Sequence, residues 1–100
     1  MKTKIEDRGD EEGLLCPVCG SCWLHHEAVA VFNRNEDAES GICVQAEGMN
    51  VQVGTDISQN PSSRRHGLCI RFWCETCGKR SSLGIAQHKG VTLLQWTPVA

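Results

Sequence analysis

The sequence predicts an all-β domain built mostly from antiparallel neighbours. Three observations carry that expectation: short segments in which apolar and polar residues alternate, turn chemistry between them, and the lack of any stretch of ten or more residues with a capped helical period. Residues 23–33, WLHHEAVAVFN, set Leu24, His26, Ala28, Ala30 and Phe32 against His25, Glu27, Val29 and Val31, a period of two with β-branched and aromatic character. The next run, NRNEDAESG, is polar and ends in Gly, as a turn should. ICVQA and MNVQVG, joined by Glu47 and Gly48, have the length and chemistry of a hairpin. TDISQNPSSRRHG is too polar for core and contains Asn-Pro, so a long loop is expected there, of the kind that tends to carry function. LCIRFW alternates again, with Leu68, Ile70 and Phe72 opposite Cys69, Arg71 and Trp73. SSLGIAQ and VTLLQW flank His88, Lys89 and Gly90 and form a further expected hairpin.

Composition sets the frame for these strands. With 100 residues, 40% of them hydrophobic, the chain is one domain at most and close to the size at which a core alone is barely enough. Residues 1–13, MKTKIEDRGDEEG, hold five acids against three bases and little to bury, so a disordered charged tail is expected before a single domain over 14–97. That opening run has no apolar stretch, and no membrane-spanning segment is expected, which places the protein in a reducing cytoplasm. Seven cysteines cannot all pair within the chain, and in such a compartment grouped cysteines more often bind metal than form disulfides.

Two segments repeat one pattern: CPVCG at residues 16–20 and CETCG at residues 74–78. A Cys-x-x-Cys-Gly turn aims two thiolates at one point, backbone amides of the turn donate to the sulfurs, and the glycine permits the positive φ that the geometry needs. Cys16, Cys19, Cys74 and Cys77 thus form a candidate set of four thiolates for one tetrahedral Zn²⁺, with iron an alternative in the same site. The insert between the turns is much longer than in the simplest four-cysteine sites. Closure entropy grows only logarithmically, by about 0.6 kcal/mol per doubling, so an insert that folds by itself is tolerated.

Paired turns of this type separated by β structure resemble the zinc ribbon, the fold group of rubredoxin-like and many transcription-associated domains. The combination of CPVCG, LHH, NRNEDAESG, NPSSRR, CETCG and QHKG is similar to small bacterial and phage zinc-ribbon proteins. The resemblance implies a zinc ribbon with two knuckles and an inserted antiparallel sheet, and it implies no activity.

Other uses of the cysteines compete with zinc. Cys16, Cys19 and Cys22 match the start of a ferredoxin run, but His26 stands where the last cysteine would be and the following Pro is missing. Thiol redox catalysis usually places the cysteine pair at a helix start, and no helix is expected here. Cys22, Cys43 and Cys69 read as small buried hydrophobes, with Cys22 the most credible extra ligand. His25 and His26 are strand neighbours, so their side chains point to opposite faces and at most one can approach the metal.

Net charge is -2, and four thiolates with one divalent ion add a further -2. Against that background Arg64, Arg65, Arg71, Lys79 and Arg80 make residues 61–80 locally basic. With Trp73 they form a candidate nucleic-acid or partner surface, the cations neutralising phosphate and the indole stacking on bases. A rigid metal anchor can present these side chains together, so a binding module is expected, nucleic-acid binding or regulatory, with nucleic acid ahead of protein as the partner. Alternatively, an acidic loop (Glu36, Asp37, Glu39) and the basic loop have charge complementarity suited to a protein partner or to a second copy, and strand edges can extend a partner's sheet. No enzyme is expected: there is no nucleophile motif and no phosphate-cradling loop, four cysteines close the metal tetrahedron, and nothing requires His66, His88 and Asp56 to meet.

Overall fold

The computed structural model describes residues 2–99. Among the described residues it contains eight β-strands and no helix. They are β1 (Ile5–Arg8), β2 (Glu11–Leu14), β3 (Leu24–Asn33), β4 (Ile42–Glu47), β5 (Asn50–Gly54), β6 (Gly67–Cys74), β7 (Arg80–His88) and β8 (Val91–Pro98). β1 and β2 form a hairpin; the other six form one sheet in the order β5-β4-β3-β6-β7-β8, with every neighbouring pair antiparallel.

The first hairpin departs from the disordered tail expected over residues 1–13, of which Met1 lies outside the described residues. Its turn explains the difference. Gly9 adopts φ 79° at the first central position of a two-residue connection, and Asp7 Oδ1 accepts the Gly9 N–H at 3.0 Å. The open end of the hairpin is anchored as well: Leu15 N–H donates to Lys4 C=O, and Leu14 packs on the cluster of Phe72, Leu83 and Trp96. The packing of Leu14 and correct turn chemistry thus outweigh a charged composition.

A second departure lies in β3. The expected alternation is interrupted by a bulge at Glu27, between the pairs His26↔Phe72 and Ala28↔Arg71. Leu24 and His26 therefore share a face with Val29 and Val31, while His25 lies with Ala28, Ala30 and Phe32. A bulge re-aims a side chain. Here the extra residue sends the Glu27 carboxylate between two arginines, accepting from Arg71 Nε at 2.9 Å and Arg80 Nε at 2.8 Å.

Register divides the six-stranded sheet into two unlike faces. Arg71, Arg80 and Glu47 lie on one, which also carries a cleft of about 620 Å³ floored by Ala28, Ala30, Cys69 and Ser82. The opposite face has no Asp, Glu, Lys or Arg. Buried side chains gather in two small clusters rather than one core. Phe32, Cys43 and Ile57 pack on the charged face, and Phe72, Leu83 and Trp96 pack on the uncharged one.

The segment between β5 and β6 is a loop, as expected, yet it contributes to the interior: Ile57 and Ser62 are buried. Ser62 is polar but well satisfied. Its N–H donates to Asn60 Oδ1, its hydroxyl donates to Gln87 C=O and accepts the Arg65 N–H, and its carbonyl accepts from Arg34. At the start of β6 only glycine fits, because a Cβ on Gly67 would overlap Asn60 Oδ1 and lie 2.9 Å from Pro61.

Candidate metal centre

The two Cys-x-x-Cys-Gly turns sit at one end of the sheet, the first leading into β3 and the second joining β6 to β7. Antiparallel pairing of β3 with β6 places Leu24 opposite Cys74, so the start of one strand and the end of the other coincide. The sheet itself therefore closes a separation of 61 positions between Cys16 and Cys77. Each turn is built alike. Gly20 N–H donates to Cys16 C=O and Gly78 N–H to Cys74 C=O, both at 2.9 Å, and the glycines have φ 79° and 70°. Cys16 N–H donates to Ser21 C=O, and Cys74 N–H to Lys79 C=O. The Ser21 and Thr76 hydroxyls meet at 2.8 Å and join the two turns directly.

All four sulfurs lie within 4.8 Å of one another. Cys16 Sγ and Cys77 Sγ are 3.9 Å apart, and Cys19 Sγ and Cys74 Sγ 3.6 Å. These separations exceed the roughly 2.0 Å of a disulfide bond. They match the edge of about 3.8 Å in a regular tetrahedron whose centre lies about 2.3 Å from each sulfur. Cys16 and Cys74 are buried, Cys77 is half-buried and Cys19 is exposed.

Electrostatics within the cluster favour a cation. Burial disfavours the Cys74 thiolate, but the amides of Cys77 and Thr76 and the thiols of Cys19 and Cys77 bring it down to about 6. Cys19 goes the other way: the Ser21 amide favours its thiolate, but desolvation and the neighbouring Cys74, Cys77 and Cys16 push it up to about 12. The environments of the two sulfurs thus act in opposite directions within one interacting set. The four cysteines form a site that can hold a metal ion, and the chain is a small all-β module with a candidate metal centre.

No other residue joins that set among those described. His25 Nε2 lies 2.7 Å from Glu75 Oε1 and its ring is 5.4 Å from that of Trp73, whereas His26 meets Phe72 edge-on across the opposite face. Cys22 stands half-buried outside the cluster, Cys43 is buried beside Phe32, and Cys69 packs against that same group.

The basic side chains are not brought together as a metal-anchored patch. Arg64 and Arg65 precede β6 and Lys79 and Arg80 follow it, so the length of that strand, on the order of 20 Å, separates them. Each of the arginines already has a carboxylate. Arg64 grips Asp37 through Nε at 2.7 Å and Nη2 at 2.9 Å and reaches Glu36, and Arg65 also binds Glu36. Arg71 binds Glu27 and Glu47, and Arg80 binds Glu27. The Arg64 guanidinium accordingly holds the Asp37 carboxyl below its ordinary value. Burial alone would raise Glu27, but hydrogen bonds from Arg80 and Arg71 keep it low. The acidic and basic loops thus satisfy one another within the chain. Lys79 makes no ion pair among the described residues; it sits at the metal end of the sheet with half-buried Trp73 and with Trp23, which is 60% exposed.

The ion pairs of Glu27 are not legible in the sequence, because they depend on a bulge and on two partners contributed by other strands. Their signal lay only in two unpaired-looking arginines at positions 71 and 80. No protein-family model, curated protein or solved structure matches the chain.

Proposed function

We propose that Cys16, Cys19, Cys74 and Cys77 hold one structural Zn²⁺, that the chain is a zinc-ribbon-like module, and that it acts by binding a protein rather than by catalysis. The observation supporting the metal is the gathering of four sulfurs within 4.8 Å of one another, on two glycine-terminated turns, with two of the separations close to a tetrahedral edge. Four thiolates fill the coordination of zinc and leave no position for substrate, which supports a structural role. Thiolates also need reducing surroundings, in keeping with a cytoplasmic protein.

A protein partner is favoured over nucleic acid by the ion pairs. A phosphate approaching Arg64, Arg65, Arg71 or Arg80 must compete with carboxylates at 2.7 to 2.9 Å. The second reading keeps one supporting observation: Lys79, Trp73 and exposed Trp23 lie at the metal end, where indole faces can stack on unpaired bases. Titrating metal-loaded protein with single- and double-stranded oligonucleotides over a salt series decides between the two. Binding no tighter than about 100 μM at low salt is expected, with no change when Arg64 and Arg65 are both replaced by Ala. Micromolar binding that weakens steeply with salt would replace the protein partner by nucleic acid.

A further inference from the structure

We propose that the uncharged face of the six-stranded sheet is the docking surface for a second copy of this chain, packed sheet on sheet about a two-fold axis. This rests on the reading of the protein as a protein-binding module and names the partner. The register produces one transverse row across all six strands: Val53, Val44, Val31, Leu68, Ile85 and Leu94 stand opposite one another in turn. Not one of the six is buried. Val53 is 73% exposed, Leu94 51% and Val31 38%. The adjacent row runs from Val51 through Val29 and Ile70 to Trp96, again without a polar member, and only its last residues are buried, where Leu14 of the first hairpin covers them.

Isolated exposed valines would be ordinary, but a contiguous apolar band reaching both sheet edges marks an interaction surface. Five strand spacings of about 4.8 Å and a length of about 15 Å along the strands give a footprint near 360 Å². Two such footprints sum to about 720 Å², more once side-chain relief is counted, the size of a weak or transient interface. A reversible dimer with a dissociation constant in the micromolar range fits that area better than an obligate one.

The chemistry of the face selects a second copy as the occupant. The exposed row holds no side-chain donor or acceptor, so an identical surface leaves nothing unpaired on either side, whereas a polar partner would lose hydrogen bonds to water. A two-fold arrangement sets the patch against itself. Glu27, Glu47, Arg71 and Arg80 then remain on the outward faces, so the sheet positions through which two copies meet carry no charge; the charged β1–β2 hairpin lies at one end of that face, where Leu14 packs. Aligned sheets pack about 10 Å apart with interdigitated side chains, a geometry open to branched residues in register.

Sedimentation equilibrium of the full, metal-loaded chain from about 1 μM to about 300 μM tests the proposal. The mass should pass from one chain to two, and added salt should not reverse it. Val53→Lys and Leu94→Lys alter exposed side chains that the fold does not need, and each should raise the dissociation constant at least tenfold. Gln52→Lys, on the other face of the same edge strand, should leave it unchanged. A folded monomer holding one metal ion throughout the range overturns the dimer while leaving the protein-binding reading intact. A dimer sensitive to Gln52→Lys but not to Val53→Lys also overturns it, as does monomer that instead binds phosphatidylcholine vesicles through this face. Steep, salt-dependent oligonucleotide binding would remove the underlying reading instead.

Discussion

Removing the metal ion is expected to unfold the domain rather than loosen it. The apolar interior is split into two clusters of three buried side chains each, on opposite faces of one sheet, so neither has the continuous depth of a single core. A chain of this size gains only a few kcal/mol from such a core. A structural zinc ion contributes on the order of 10 kcal/mol in small zinc peptides, comparable to the whole stability of an ordinary domain. Without it, nothing bridges the four sulfurs, and the two turns are left with the Ser21–Thr76 hydrogen bond alone between their side chains. Chelation should therefore abolish the cooperative urea transition and the strand signal in circular dichroism. Cys74→Ser should do the same, whereas Cys22→Ser, outside the cluster, should leave both within error.

The largest effect away from the metal is expected at Phe32. Its side chain is 1% exposed and packs with Cys43 and Ile57 under the loop that joins β5 to β6. Truncation to Ala opens a cavity and removes the surface on which Ile57 rests, so a loss of about 3 to 5 kcal/mol is expected in urea unfolding of metal-loaded protein. The loop is also held to β7 by the Ser62 hydroxyl, which donates to Gln87 C=O, so it should remain attached at its far end. Trp23 makes the contrast. At 60% exposure, its replacement by Ala should change stability by no more than about 0.5 kcal/mol. A loss at Trp23 equal to that at Phe32 would contradict a core centred on Phe32 with Trp23 outside it.

Local chemistry made much of this legible in the sequence. The repeated Cys-x-x-Cys-Gly turns predicted the four clustered cysteines, because the turn dictates where each sulfur points. Alternation in residues 23–33 and LCIRFW located two strands of an all-β sheet, and His88, Lys89 and Gly90 between SSLGIAQ and VTLLQW located a hairpin. The rest depended on strand order. Arg64 looks basic beside Arg65 until the fold brings Asp37 and Glu36 across from another loop. Arg71 and Arg80 look free until a bulge delivers Glu27 between them. A count of charges within one window sees a single partner of each pair. The β1–β2 hairpin escaped for the opposite reason: its Gly9 turn is local, but Leu14, which packs it on the Phe72 cluster, comes at the end of a segment dominated by charge.

The closed four-sulfur centre is tested most directly by metal analysis with X-ray absorption on protein purified without added metal. One zinc per chain, surrounded by four sulfurs at about 2.3 Å, is the expected result. Iron in the same shell would keep the site and change its metal. A folded sheet that carries no ion, with its four thiols unligated and its unfolding unaltered by chelator, would contradict the metal clamp outright.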